Sequence, residues 1–163
     1  MGMVDFSDFP KRAKGHSFED FAVGNRYAHH WGRTLTESDN TIFSTATCSW
    51  VPMYLNVEYA RAHGHPSAVV NPLLVLCTAV GLSVEDLSEA GGPFLGLDDC
   101  RFLQPVYAGD TITATSTVLD CRLSDSRPAT GIVSWRTTVT NQHNDVVLEY
   151  SRTNLVACRE RAR

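Results

Sequence analysis

From Gly91 onward, apolar and polar residues alternate with a period of two. Thr111, Thr113, Thr115 and Thr117 interleave with Ile112, Ala114, Ser116 and Val118. That spacing turns one face of a strand to a core and the other to water. Runs rich in Val, Ile, Thr and aromatics over 94–102, 110–121, 131–139 and 146–156 predict four strands, divided by turn signals at 108–110, 125–128 and 141–145. Upstream the pattern differs. Residues 25–33 predict one earlier strand, and Thr36 with Asp39 three positions later forms a capping-box signature that opens a helix to about 47. Pro52 interrupts, and a second short helix starts near Asn56. Asn71-Pro72 then pairs an N-cap residue with proline at the first helical position. The segment it opens, Leu73 to Leu82, is apolar all round and predicts a helix buried on every side. The order implies an α+β domain, with a five-stranded antiparallel sheet wrapped around one long buried helix.

Composition narrows the class. The chain has 163 residues with a net charge of -4, the size of one domain. It lacks the basic stripe of a nucleic-acid binder. The lead-in is expected over 1–17, the folded unit over 18–158 and a short basic tail over 159–163. Five cysteines without C-x-x-C spacing predict reduced thiols and a cytoplasmic protein, with no metal centre. Residues 1–14, with acids and no apolar core, are not expected to act as a secretory leader, and no run approaches the roughly 20 apolar residues that span a bilayer.

The element order, together with Pro105–Thr111, resembles the hotdog fold over 18–157. Gly32–Asp39, Thr47–Tyr54, Gly64-His65-Pro66, Ser126–Pro128, Gly131–Val133 and Asn141-Gln142 resemble the MaoC-like hydratases and dehydratases. Asn71 ahead of the helix and Gly81–Asp86 after it are similar to the mesaconyl- and itaconyl-CoA hydratase branch. The resemblance implies an acyl-CoA or acyl-carrier-protein thioester as substrate, no cofactor, and a homodimer. In the family an Asp and a His on one loop manage water and its proton, and a backbone N–H at the helix start stabilises the thioester oxygen.

This sequence departs from that pattern at several linked positions. Ser49 stands at the Asp position, Tyr54 at the His position, Val51 at the usual Asn, and Pro72, which has no N–H, at the usual Gly. Ser49, Tyr54 and Asn71 are therefore the catalytic candidates, with the Asn71 amide or the Leu73 N–H as donors to the thioester carbonyl. Trp50, Val51, His63, His65, Leu73 and Arg127 are the expected substrate contacts. A replacement base is sought among His63, His65, Asp98, Asp99 and Glu58. The alternative is a thioester-binding hotdog protein whose activity is lost or redirected to an isomerase, cyclase or dehydratase step in natural-product biosynthesis, or a non-catalytic partner subunit.

Each of the other polar candidates also has a plainer reading. His63 and His65 suit helix-end caps, His29 and His30 sit on opposite faces of a strand, and Asp98-Asp99 point apart, so they cannot act as a dyad. Arg33 suits a surface ion pair. Arg127, in a hairpin, suits a phosphate or pantetheine contact. An unpaired sheet edge is the physical reason to expect a dimer.

Overall fold

The computed structural model describes residues 14–159. Most of the expected lead-in and tail therefore lies outside the described residues. Two short strands, β1 (Arg26–Ala28) and β2 (Arg33–Thr34), precede three helices, α1 (Glu37–Ala46), α2 (Pro52–Leu55) and α3 (Val57–Ala62). The central helix α4 (Pro72–Leu82) and a turn of helix α5 (Val84–Leu87) follow. The strands β3 (Phe94–Phe102), β4 (Thr111–Leu123), β5 (Thr130–Thr140) and β6 (Val146–Ala157) complete the chain. The sheet order is β1-β4-β5-β6-β3, with β2 also on β4, and every pairing is antiparallel.

The sheet has six strands where five were expected, because the first breaks in two. Both pieces pair with β4, and Trp31, between them, takes a left-handed backbone at φ 65°. The helix starts follow their local chemistry. The Thr36 hydroxyl accepts the Asp39 N–H at 3.1 Å while the Asp39 carboxylate accepts the Thr36 N–H at 2.9 Å. Pro52 does not merely stop α1; it is the first residue of α2.

Helix α4 lies on the concave face of the sheet. Val75 and Ala79 join Ile112, Ala114, Val139, Leu148 and Tyr150 in one core cluster. The helix is not buried on every side: Leu73 is 52% exposed and Cys77 is also exposed. A single sheet covers one side of a helix, and nothing else among the described residues covers the other.

A second cluster, Phe21, Leu87, Val118, Val133, Trp135 and Val156, packs beyond the first. Between them runs a buried polar belt. Asp86 Oδ2 lies 2.6 Å from His29 Nδ1, His29 Nε2 lies 2.8 Å from Ser116 Oγ, and Ser116 Oγ lies 2.7 Å from Thr137 Oγ1. Tyr150 stands opposite Thr137 on β6, and Arg152 stands opposite Trp135 with its guanidinium 5.4 Å from the indole centroid. Arg152 is 1% exposed and pairs with no carboxylate among the described residues. Burial holds the His29 imidazole below its ordinary pKa, with the Asp86 hydrogen bond opposing.

Candidate active site

Three segments converge at the N-terminal end of α4. The loop after α1 turns through Cys48, at φ 55°, and leads into α2. Asn56 caps α3 by accepting the Tyr59 N–H at 3.0 Å. The chain then reverses at Gly64, whose φ of 88° suits a residue without Cβ. It next runs past His65 to Val69, whose N–H reaches the Met53 carbonyl at 3.0 Å.

Asn40 joins these segments. Its amide donates to the Tyr54 carbonyl at 2.9 Å and the Val69 carbonyl at 3.1 Å, and its oxygen accepts the Asn71 N–H at 2.8 Å. Sequence reading passed over this residue. The sequence carries no signal that sets it apart; the structure shows that the two buried positions of α1, Asn40 and Ser44, are both polar and lie four apart, on one helix face.

Asn71 is 1% exposed, and both its side-chain oxygen and nitrogen are hydrogen-bonded. Its Oδ1 accepts the Leu73 N–H at 3.0 Å, and its Nδ2 donates to Ser44 Oγ at 3.2 Å. The Leu74 and Val75 N–H groups both reach the Asn71 carbonyl, at 2.9 and 3.3 Å. Pro72 has no N–H, so no donor of the first turn of α4 is left for a ligand. The Leu73 N–H is therefore taken up by helix capping, and the Asn71 amide nitrogen donates to Ser44.

A cavity of about 330 Å3 opens beside this junction, within the range of small-molecule sites. Met53, Val70, Val75 and Val147 make it apolar, the segment after β3 forms its rim, and Tyr54 and His65 are the only titratable side chains lining it. His65 Nδ1 lies 2.9 Å from the Tyr107 hydroxyl. Burial, and then the Asp110 charge, push the Tyr107 phenol up from its usual pKa.

The remaining expected contacts separate. Ser49 sits half-buried on the loop ahead of Tyr54, outside the cavity lining. Trp50 and Val51 are 64% and 44% exposed and do not line it in a single chain. His63 stacks on Tyr59 at 4.1 Å and its Nδ1 lies 2.7 Å from the Tyr59 carbonyl, at the end of α3. Glu58 pairs with Arg61 and Asp99 with Arg136. Asp98 and Asp99 fall at a bulge in the edge strand. Arg127 is not brought to the cavity. It lies in the hairpin at the far end of β4, whose 13 residues span roughly 40 Å, while the cavity lies at the near end.

A second cavity, of about 390 Å3, flanks α4 beside Trp31. His30 there faces Glu85 at 3.1 Å and Arg33 pairs with Asp39 at 2.7 Å, so its charged groups already have partners. Among the described residues no group of three or more His, Cys, Asp and Glu is placed to hold a metal ion, and no helix is long and apolar enough to cross a membrane.

Comparison with known proteins agrees with this arrangement. A family model described as mesaconyl-CoA hydratase matches residues 4–163. The mesaconyl-CoA hydratase of Haloarcula marismortui is 41% identical over 152 residues, covering 93% of this chain and 42% of that protein. A MaoC domain protein dehydratase from Chloroflexus aurantiacus superposes with a TM-score of 0.85 at 32% identity, over 93% of this chain and 43% of that one. A Mycobacterium tuberculosis protein described as having a double hotdog fold matches with a TM-score of 0.81 at 21% identity, over 94% of this chain and 47% of that one, which shows the fold alone. The chain thus spans less than half the length of these relatives. With the sheet wrapped on α4, the loop–helix junction and this match along nearly its whole length, the chain belongs to the mesaconyl-CoA hydratase family of MaoC-like hotdog proteins.

Proposed function

We propose that this chain is one hotdog unit of an enoyl-thioester hydratase or dehydratase, with a short acyl-CoA as its substrate. The observation that carries the reading is the apolar cavity at the N-terminal end of α4, in a chain matched throughout by the mesaconyl-CoA hydratase model. A branched C5 dicarboxylyl thioester is the first acyl group to test, and CoA is preferred to a carrier protein because the related hydratase is named for a CoA ester. Tyr54 replaces the family's loop histidine and lines the cavity, so its phenol donates to the thioester carbonyl, the service that the capped helix start no longer offers. Asn71 positions α4. Ser49, outside the cavity in one chain, holds water or a substrate hydroxyl at the lip when a second unit closes over the loop.

The second unit is another copy of this chain. Among the described residues strand β3 pairs only with β6, and it carries Phe94, Leu95, Leu97 and Phe102, all more than a third exposed. An open apolar edge of this length invites a partner strand. Phe102 also lines the cavity, so a copy docked along β3 completes the site. Sedimentation at micromolar concentration is expected to give twice the 18.0 kDa chain mass; a monomer alone overturns the dimer. Loss of enoyl-thioester absorbance with mesaconyl-CoA and crotonyl-CoA tests the activity. No turnover above the enzyme-free rate for any thioester in such a panel sinks the hydratase reading. One observation favours a redirected or silent thioester binder instead: the loop acid and the helix-start N–H donor are both gone. That reading predicts acyl-CoA binding without water addition.

A further inference from the structure

We infer that His65 is the acid–base residue of this site, and that Tyr107 is the positioning residue that orients it. The inference rests on the thioester reading above and deepens it. Of the side chains lining the cavity, only Tyr54 and His65 can carry a proton in and out, and imidazole is the group suited to do so near neutral pH. Of the other candidate bases, His63 is held by Tyr59, Glu58 by Arg61 and Asp99 by Arg136, and Asp98 lies on β3 opposite Ser151, outside the cavity lining.

His65 is also held in a way that suits catalysis. Its Nδ1 faces the Tyr107 hydroxyl at 2.9 Å. Tyr107 is anchored on both sides, by a bridge to Val69 and by its N–H donating to Asp110 at 2.8 Å. The raised phenol pKa keeps the Tyr107 proton on oxygen. In the reactive tautomer Nδ1–H donates to that oxygen, and Nε2 keeps its lone pair as a base. This is the base–orienter arrangement found wherever a histidine handles protons.

The step balances with one residue. His65 Nε2 takes a proton from water as the water oxygen bonds to the β carbon. The π electrons of the double bond move toward the thioester, whose oxygen accepts the Tyr54 O–H. The imidazolium then returns the proton to the α carbon, and the carbonyl reforms. Water has been added across one face of the double bond, and His65 is restored. Dehydration is the reverse.

The test uses the full-length protein with crotonyl-CoA for hydration and with butyryl-CoA in deuterium oxide for α-hydrogen exchange. Butyryl-CoA has no double bond, so it reports the base alone. His65→Gln is expected to lower both rates by about 10²–10⁴ with the melting temperature unchanged. Tyr107→Phe is expected to lower kcat about tenfold and to move the acid limb of its pH profile, which a purely structural tyrosine would leave in place. Hydration that survives His65→Gln within threefold overturns the inference and leaves the hydratase reading standing. Exchange that depends on His65 without hydration overturns the hydratase reading and leaves His65 as the base. Neither rate above background in the wild type overturns both.

Discussion

Removing the Asn71 side chain tests the junction on which the site is built. Asn71→Ala deletes the cap on the Leu73 N–H and the donor to Ser44 Oγ, while the backbone N–H to Asn40 survives. Loss of a helix cap costs about 1 kcal/mol. Ser44 is 0% exposed, so a hydroxyl deprived of its partner there adds about 1–2 kcal/mol. The expected loss is about 2–3 kcal/mol, a fall of roughly 1 M in the urea midpoint for a chain of this size. Ser44→Ala alone strands the Asn71 Nδ2 and is expected to cost about 1–2 kcal/mol. The two losses share one hydrogen bond, so the double variant is expected to fall short of their sum by about 1 kcal/mol. The assay is urea unfolding at one fixed protein concentration, because a dimer's stability depends on it. Losses that add within about 0.3 kcal/mol, or a single Asn71→Ala loss below about 0.5 kcal/mol, would refute the capping network as drawn.

Three further outcomes follow from the geometry. Tyr54→Phe is expected to lower kcat by about 10²–10³ with little change in KM, the signature of a donor that acts on the developing oxyanion; a loss confined to KM points to mere contact. His29 sits below its ordinary 6.5 when folded, so the unfolded chain takes up that proton first. Its stabilisation is full above about pH 6.5 and is lost as pH falls through the lower folded value. Unfolding measured from pH 8 to 5 should weaken less in His29→Gln than in the wild type, and equal slopes contradict this. Gly92 lies at φ 140°, and a Cβ there falls 1.8 Å from the Leu155 carbonyl oxygen. Gly92→Ala is therefore expected to cost about 3 kcal/mol or more and to shift the assembly toward monomer, since β3 begins two residues later; a normal melting temperature refutes it.

The fold was legible in the sequence because its signals are local. Thr36 with Asp39, Asn56, and Asn71 with Pro72 each carry their cap chemistry in adjacent residues, and the Thr alternation of β4 shows its face directly. The break at Trp31 was not legible, since a left-handed tryptophan has no sequence signature. The exposure of Leu73 was hidden because an apolar residue reads alike whether a sheet or a second chain covers it. In the site, the substitutions at Ser49 and Tyr54 were visible, but the pairing of His65 with Tyr107 was not. The two stand 42 residues apart and meet only because Val69 bridges to the segment after β3. For Asn71, the N-cap signal that located the residue also names the hydrogen bond from the Leu73 N–H that occupies its oxygen.

The buried polar belt bears on how the sheet finds its alignment. Strands β4 and β5 carry threonines at many positions, so a slip of two residues keeps every inward face inward, and hydrophobic alternation cannot oppose it. The belt can. A two-residue shift of β5 on β4 takes Thr137 away from Ser116 and sets it against Ala114 or Val118, leaving hydroxyls inside an apolar cluster without partners. A shift of β6 likewise removes Arg152 from the face of Trp135. The residues that divide the core thus work as a vernier, marking the one setting at which the long strands can lock.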